Sequence, residues 1–264
     1  MAAFGNSGPK KSVDILFDTC LRWSGSRPMG RFLDAGTGQH SLKWIQKNLE
    51  TECWTAVTAD HKMAAQIKQN IGPMRSKDQI LVGNWIDDGF CESVGQYDTI
   101  LADYLIGAVD GFSPYKQDLI LGRLASCLSP NGRLYVIGMN PIPDVDAYPG
   151  RLISEVRRAR DSCITLAGHR PYREYPVEWI HRSLVASGLQ VTQTKQFTIL
   201  HSEDSTLRQI RVSQSKLPLI PAPLQSGMEI YLKDLTERCK TAVAESNGKI
   251  PLSFDYVVEA VSNP

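Results

Sequence analysis

Apolar and polar positions along this chain switch repeatedly between a helical period and short uninterrupted apolar runs. Over residues 13–23, Ile15, Leu16, Cys20, Leu21 and Trp23 recur at helical spacing, and Ser24-Gly25-Ser26 with Pro28 ends the run. Residues 32–35 form a first strand and 41–49 a helix through Leu42, Trp44, Ile45 and Leu49. A second strand over 53–59 ends at Asp60, and a helix over 61–71 is stopped by Gly72-Pro73. Strands follow at 79–82 and 97–102, then a helix at 117–128. Ser129-Pro130-Asn131-Gly132 reads as a turn before a fifth strand at 133–138. Beyond Asn140-Pro141-Ile142-Pro143 the pattern predicts helices at 152–166 and 177–187, with Gly188 as C-cap, and a sixth strand at 189–200. Helices at 205–216 and 228–245 and a last strand at 252–261 complete the chain, with 217–223 as the best linker candidate.

Strands alternating with helices imply a parallel sheet covered on both faces, with ligands bound outside the carboxyl ends of the strands. The residues at those ends are Asp34 to Gly38, Asp60, Asn84, Asp103 and Asn140. Gly36-Thr37-Gly38 gives a backbone that a ligand can approach closely. A dinucleotide fingerprint would place a third glycine at position 41, where this chain has Ser41. The Asp34 carboxylate would also repel a pyrophosphate, so a cationic ligand is favoured beside this turn.

Composition narrows the picture further. A formal net charge of +1 over 264 residues argues against a broad nucleic-acid footprint. Arg151, Arg157, Arg158 and Arg160 share one predicted helix, but Glu155 and Asp161 interrupt them, as on a solvated helix face. Six cysteines form no C-x-x-C pair, so no zinc site is expected, and a reduced intracellular setting fits. Residues 1–11 read as a disordered start without the apolar core of a signal peptide. With no run of apolar residues long enough to span a bilayer, the expectation is a cytoplasmic protein without membrane association.

The stretch from Phe32 to Gly38 resembles the D-x-G-x-G motif of class I S-adenosylmethionine-dependent methyltransferases. The similarity continues down the chain. Asp60 stands where that family holds the ribose hydroxyls, and His61 where a residue covers the adenine face. Asn84 departs from the acid usual near the adenine, although its amide can bond a base edge; Trp85 lies beside it, and Asp87 or Asp88 offer alternative acids. Asp103-Tyr104 falls where the family places substrate-side residues, and Leu128 to Leu134 resembles its L-x-P-G-G-x-L turn, with Asn131 replacing a glycine. The resemblance covers about residues 13–145. It implies an α/β fold, a Rossmann-like three-layer sandwich with a mostly parallel seven-stranded sheet, an antiparallel last strand and helical additions. It also implies S-adenosyl-L-methionine as cofactor, held by Asp34, Gly36, Gly38, Asp60, His61, Asn84, Trp85 and Asp103.

Methyl transfer needs alignment, exclusion of water and, for a hydroxyl or ammonium acceptor, a base. Asp103, Tyr104 and His169 are the catalytic candidates, with Asp110, Tyr115, His181 and His201 as further polar groups. Asn140, Tyr172 and Tyr175 are the candidates for binding substrate; with Trp179, the two tyrosines form an aromatic-rich segment suited to a lid or to a cationic amine. Asp103-Tyr104 is not the N-P-P-Y type of signature, and no clear metal-binding acid set of the catechol type accompanies it, so no metal is expected. The expectation is one methyltransferase domain over 1–264, with a helical substrate-side segment at 146–188 and a helical insertion at 202–248 that covers substrate or makes a homodimer contact. The expected acceptor is a small molecule, at oxygen or nitrogen. A protein methyltransferase and a catalytically silent cofactor-binding subunit are the alternatives, and Asp34 and Ser41 disfavour an NAD-dependent dehydrogenase.

Overall fold

The computed structural model describes residues 14–263, so the start expected at 1–11 lies outside the described residues. In chain order the elements are α1 (Ile15–Ser24), β1 (Arg31–Asp34), α2 (Gln39–Asn48), β2 (Cys53–Thr58), α3 (His61–Asn70), β3 (Gln79–Val82), α4 (Phe90–Val94) and β4 (Tyr97–Asp103). They continue with α5 (Leu105–Ala108), α6 (Gln117–Ser126), β5 (Leu128–Met139), α7 (Gly150–Leu166), α8 (Val177–Ala186), β6 (Gln190–His201), α9 (Glu203–Lys216), α10 (Ala222–Glu245) and β7 (Ile250–Val261). The seven strands form one sheet in the order β3-β2-β1-β4-β5-β7-β6. Pairing is parallel from β3 through β5. The last strand is antiparallel: Ser262 N–H donates to the Gly132 carbonyl while Asn140 N–H donates to that of Phe254, so numbering runs in opposite senses. Helices cover both faces, as alternating strands and helices require.

The chain divides into two compact units: Met1–Gly138 with Val177–Lys195 and Tyr256–Pro264, and Met139–Pro176 with Gln196–Asp255. In the first, Leu33, Ala56, Ile100, Leu101, Ala102, Leu134 and Val136 are fully buried, which is why its central strands read as unbroken apolar runs. Its helices start at side chains that accept orphan amides. Asp14 takes the Leu16 N–H at 2.8 Å to begin α1, and Asp60 takes those of Lys62 and Met63 to begin α3. Gly138 has no room for a side chain, because a Cβ there would sit 2.3 Å from the Tyr256 hydroxyl. Gly138→Ala is expected to cost about 2–3 kcal/mol by overpacking, read as a lower midpoint in thermal or denaturant melts.

The second unit is built on α7, α9 and α10. Leu152, Val156, Cys163, Ile210, Leu232, Leu235 and Cys239 form its apolar core. Glu155 ties α7 to α10, accepting from Tyr231 Oη at 2.9 Å and from both terminal nitrogens of Arg238 at 2.7 and 2.9 Å. The Arg238 guanidinium and the Tyr231 hydroxyl hold this carboxyl below its ordinary range against its partial burial.

Several sequence expectations shift. Residues 129–132 do not separate a helix from a strand; they lie within β5, which starts at Leu128 and makes an irregular step between the pairs Tyr97–Leu128 and Thr99–Arg133. Asn131 takes the left-handed conformation there at φ 60°, and Ser262 Oγ donates to the Ser129 carbonyl at 2.7 Å. The linker candidate at 217–223 is a 3-10 turn running into α10, wholly inside the second unit. The helix begins at Ala222 because proline is tolerated in a first turn. Helices α4 and α5, of five and four residues, are too short to carry a period. Among the described residues no helix is long and apolar enough to cross a membrane.

Candidate functional site

The first unit gathers Asp34, Gly36, Gly38, Asp60, His61, Asn84, Trp85, Asp103 and Tyr104 at the carboxyl ends of β1 to β4 and the segments that follow. Each strand end is fixed by a backbone bond to its neighbour. Ala35 N–H donates to Leu101, Thr37 to Val57, Gly83 to Thr58 and Tyr104 to Ile137, at 2.8–3.1 Å.

Asp34 is completely buried. Its Oδ2 accepts from Ser41 Oγ at 2.7 Å, and Ser41 Oγ in turn accepts the Gly38 N–H at 3.1 Å. Its Oδ1 is buried without a hydrogen-bond partner. Burial pushes the Asp34 carboxyl up to about 6, against the opposing pull of the nearby Thr37 and Ser41 hydroxyls and the Gly36 amide. Asp103, half-buried, is pushed up to about 7 by desolvation first, then by the charges of Asp34 and Asp14. Asp34 pairs with Leu101 across β1 and β4, so Asp103 follows two residues further along the neighbouring strand and leaves the same face of the sheet. Two carboxyls with no lysine or arginine among the described residues bonded to either make a site that attracts a cation and repels a phosphate.

The two glycines of the turn differ. At Gly36 a Cβ would lie 2.9 Å from Leu105 Cδ1, so helix α5 packs directly on the backbone. At Gly38 a Cβ would meet nothing within 4 Å. Asp60 spends Oδ1 on the α3 cap, leaving its second oxygen, which no hydrogen bond among the described residues uses. His61, first residue of α3, is exposed.

Asn84 and Trp85 are used internally. The Asn84 amide donates to Ser113 Oγ at 2.7 Å and accepts from Ile86 N–H at 3.2 Å. Trp85 is buried, packs edge-on against Phe90 with ring centroids 5.2 Å apart, and donates Nε1–H to the Ala35 carbonyl at 2.6 Å. Arg123 from α6 holds this segment by donating to the carbonyls of Trp85 and Asp87. Trp85 thus buttresses the glycine turn from behind, a role shared with Arg123 and Ser41. Sequence reading missed both of these residues as site supports. Ser41 was visible only as a missing glycine, and Arg123 lies 38 residues from its acceptor.

Asn140, His169, Tyr172 and Tyr175 belong to the second unit. Asn140 follows β5, with its carbonyl accepting from Ser253 Oγ at 2.7 Å and its amide oxygen buried without a partner. His169 is exposed, and its Nδ1 lies 3.1 Å from Lys216 Nζ, so that nitrogen is the acceptor of a lysine proton. Tyr172 is exposed and Tyr175 half-buried. Glu174 between them carried no sequence signal, yet burial, with Asp255 nearby, drives its carboxyl up to about 7 despite Arg160. His201 donates Nε2–H to the Leu252 carbonyl, 3.0 Å away, and desolvation lowers its proton affinity. Among the described residues no group of three metal-binding side chains is present.

No protein-family model and no curated protein sequence matches the chain. Solved structures do. The YcgJ protein of Bacillus subtilis is 15% identical with a TM-score of 0.58, over 94% of this chain and 97% of its own. The cyclopropane synthase MmaA2 of Mycobacterium tuberculosis is 16% identical with a TM-score of 0.55, over 92% and 82%. A phosphoethanolamine N-methyltransferase of Haemonchus contortus, solved with S-adenosylhomocysteine and phosphomonomethylethanolamine, is 13% identical with a TM-score of 0.51, over 93% of this chain and 52% of its own. The chain therefore has the Rossmann-like fold of class I methyltransferases.

Proposed function

We propose that the chain is a methyltransferase that uses S-adenosylmethionine and acts on a small-molecule acceptor at oxygen or nitrogen. The observation that carries the cofactor reading is Asp34: a fully buried carboxylate beside a glycine turn, with one oxygen unpartnered and no basic side chain among the described residues bonded to it. A cationic donor held near this carboxylate is attracted by it, and a dinucleotide pyrophosphate is repelled. The S-adenosylhomocysteine held by the Haemonchus enzyme supports the same ligand class. The near-neutral charge supports a small acceptor over a nucleic acid.

The sulfonium already activates its methyl group, so the protein's part is to bind, align and exclude water. Asp34 faces the donor's positive charge, Asp60 offers its spare oxygen to the ribose, and the Gly36-Thr37-Gly38 backbone allows close approach. A second reading, a subunit that binds donor without transferring a methyl, has one observation in its favour. Asn84 stands where the family usually has an acid, and both ends of its amide already make one bond within the protein.

Titration calorimetry with S-adenosylmethionine, S-adenosylhomocysteine and NAD tests the cofactor, with micromolar binding of the first two expected. Binding of NAD alone would sink the reading. Incubating metabolite extracts with labelled donor, then mass spectrometry, separates a transferase from a silent subunit. Asp60→Ser is expected to keep the α3 cap, because serine caps as well as aspartate, and so to leave the melting temperature within about 2 °C. The same variant should lose about tenfold or more in donor affinity as the charged hydrogen bonds disappear; unchanged affinity would remove Asp60 from the site.

A further inference from the structure

Asp34 and Asp103 raise a question that cofactor binding alone does not answer: what balances two buried carboxyls when the donor is absent. Their surroundings can be taken element by element. Asp34 is faced by the Ser41 hydroxyl of α2, the Thr37 hydroxyl and Gly36 amide of the turn, and Asp103 of β4. Asp103 is faced by Asp34 of β1, Asp14 ahead of α1, the Cys20 thiol of α1, itself raised by burial, and His40 of α2. His40 is the one cationic candidate in this set. Its side chain is 71% exposed, and its Nε2 lies 3.0 Å from Asp14 Oδ2, so it serves Asp14 first. Among the described residues no lysine or arginine bonds to the pair and no side chain donates to Asp103, and Asp34 Oδ1 is buried without a partner.

We propose that Asp34 and Asp103 act as one proton-coupled pair: they give up a proton when the cationic donor binds, and recover one from the acceptor when methyl transfer removes the sulfonium charge. The inference rests on the S-adenosylmethionine reading and gives that site a further task. Desolvation places both carboxyls near neutrality, so a proton sits on the pair in the empty protein near pH 7. A positive charge brought beside them favours the ionised forms, and the proton leaves to solvent. In the reaction the acceptor's lone pair forms the new bond to the methyl carbon. The carbon–sulfur bond breaks with its electrons remaining on sulfur, and the sulfonium becomes a neutral thioether. The acceptor, momentarily cationic, must lose its O–H or N–H proton. At that moment the pair has lost its counter-charge, so its proton affinity returns and the proton passes to a carboxylate. Asp103 is the receiving group, because it is only half-buried while Asp34 is closed off and tied to Ser41.

Calorimetry of the whole chain in buffers of different ionisation enthalpy counts these protons directly. Near pH 7, binding of S-adenosylmethionine is expected to release roughly half to one proton, and binding of S-adenosylhomocysteine, which lacks the sulfonium, clearly less. Donor affinity should rise about tenfold between about pH 6 and 8. In Asp103→Asn the release should fall towards zero and the pH dependence of affinity should flatten, while the donor still binds. Equal heats in every buffer for the unmodified protein, with donor bound, would overturn the proposal and leave the cofactor reading standing. Equal proton release for the two ligands would overturn it as well. Failure of both ligands to bind at all would overturn the cofactor reading itself. The comparison of ligands uses the unmodified protein, so it decides the matter even if Asp103→Asn does not fold.

Discussion

Asp34→Asn is expected to yield a protein that no longer binds the donor and is more stable than the original above neutral pH. The binding half follows from the loss of a charged partner in a dry site, worth about 3 kcal/mol or about 100-fold in affinity. The stability half follows from the direction of the proton affinity. Burial lifts the folded-state carboxyl from its ordinary 3.8 to about 6, so the folded protein holds that proton more tightly than the unfolded chain does. Stability from this group is complete below about pH 4 and is lost as the pH rises through about 6. At pH 8 the buried anion costs up to about 3 kcal/mol, a cost that a neutral amide of the same shape does not carry. Melting temperature in the variant should therefore rise by about 5 °C or more near pH 8, and the gain should vanish near pH 4.5. Melts at the two pH values, with donor titrations beside them, check both halves. A variant that melts lower near pH 8 would mean that Oδ1 has a protein partner after all.

The sequence announced this carboxylate by type and position: an acid two residues before a glycine turn, at the end of an apolar run. It could not announce that Oδ1 is unpartnered, since that depends on Ser41 bonding only Oδ2. The strand and helix pattern was legible wherever a run was long enough to show its period, and seven strands follow from it. Helices α4 and α5 escaped because four or five residues cannot display a helical repeat. The 129–132 segment misled because Pro-Asn-Gly signals a turn locally, while β7 pairs along it and keeps it in the sheet. Likewise, Asn84 and Trp85 read as ligand-facing because they end a strand. Their hydrogen bonds to Ser113 and Ala35 come from partners that no spacing rule identifies. Short-range chemistry was readable, and contacts across tens of residues were not.

That difference separates the two glycines of the turn, and Gly38→Val is the experiment that exploits it. Gly38 has φ −124° and ψ 175°, an extended conformation that suits a β-branched residue. A Cβ there meets no atom within 4 Å, and the bond from the Gly38 backbone N–H to Ser41 Oγ does not use the substituted side chain. Stability should change by less than about 0.5 kcal/mol, as for a surface substitution. Donor affinity should nevertheless fall about 100-fold or more, because the isopropyl group would occupy the space through which a ligand reaches the backbone. Gly36→Ala gives the opposite separation. Its Cβ would press 2.9 Å from Leu105 Cδ1 and 3.2 Å from Leu105 Cβ, so helix α5 must shift. That variant should lose about 1–3 kcal/mol of stability through overpacking, visible in melts without any ligand. If Gly38→Val bound donor normally, the turn would not be the place where the ligand lies, and Asp34 would be left buried for a reason other than catalysis. If both variants bind poorly but only Gly36→Ala melts early, one glycine is kept for the fold and the other for the ligand.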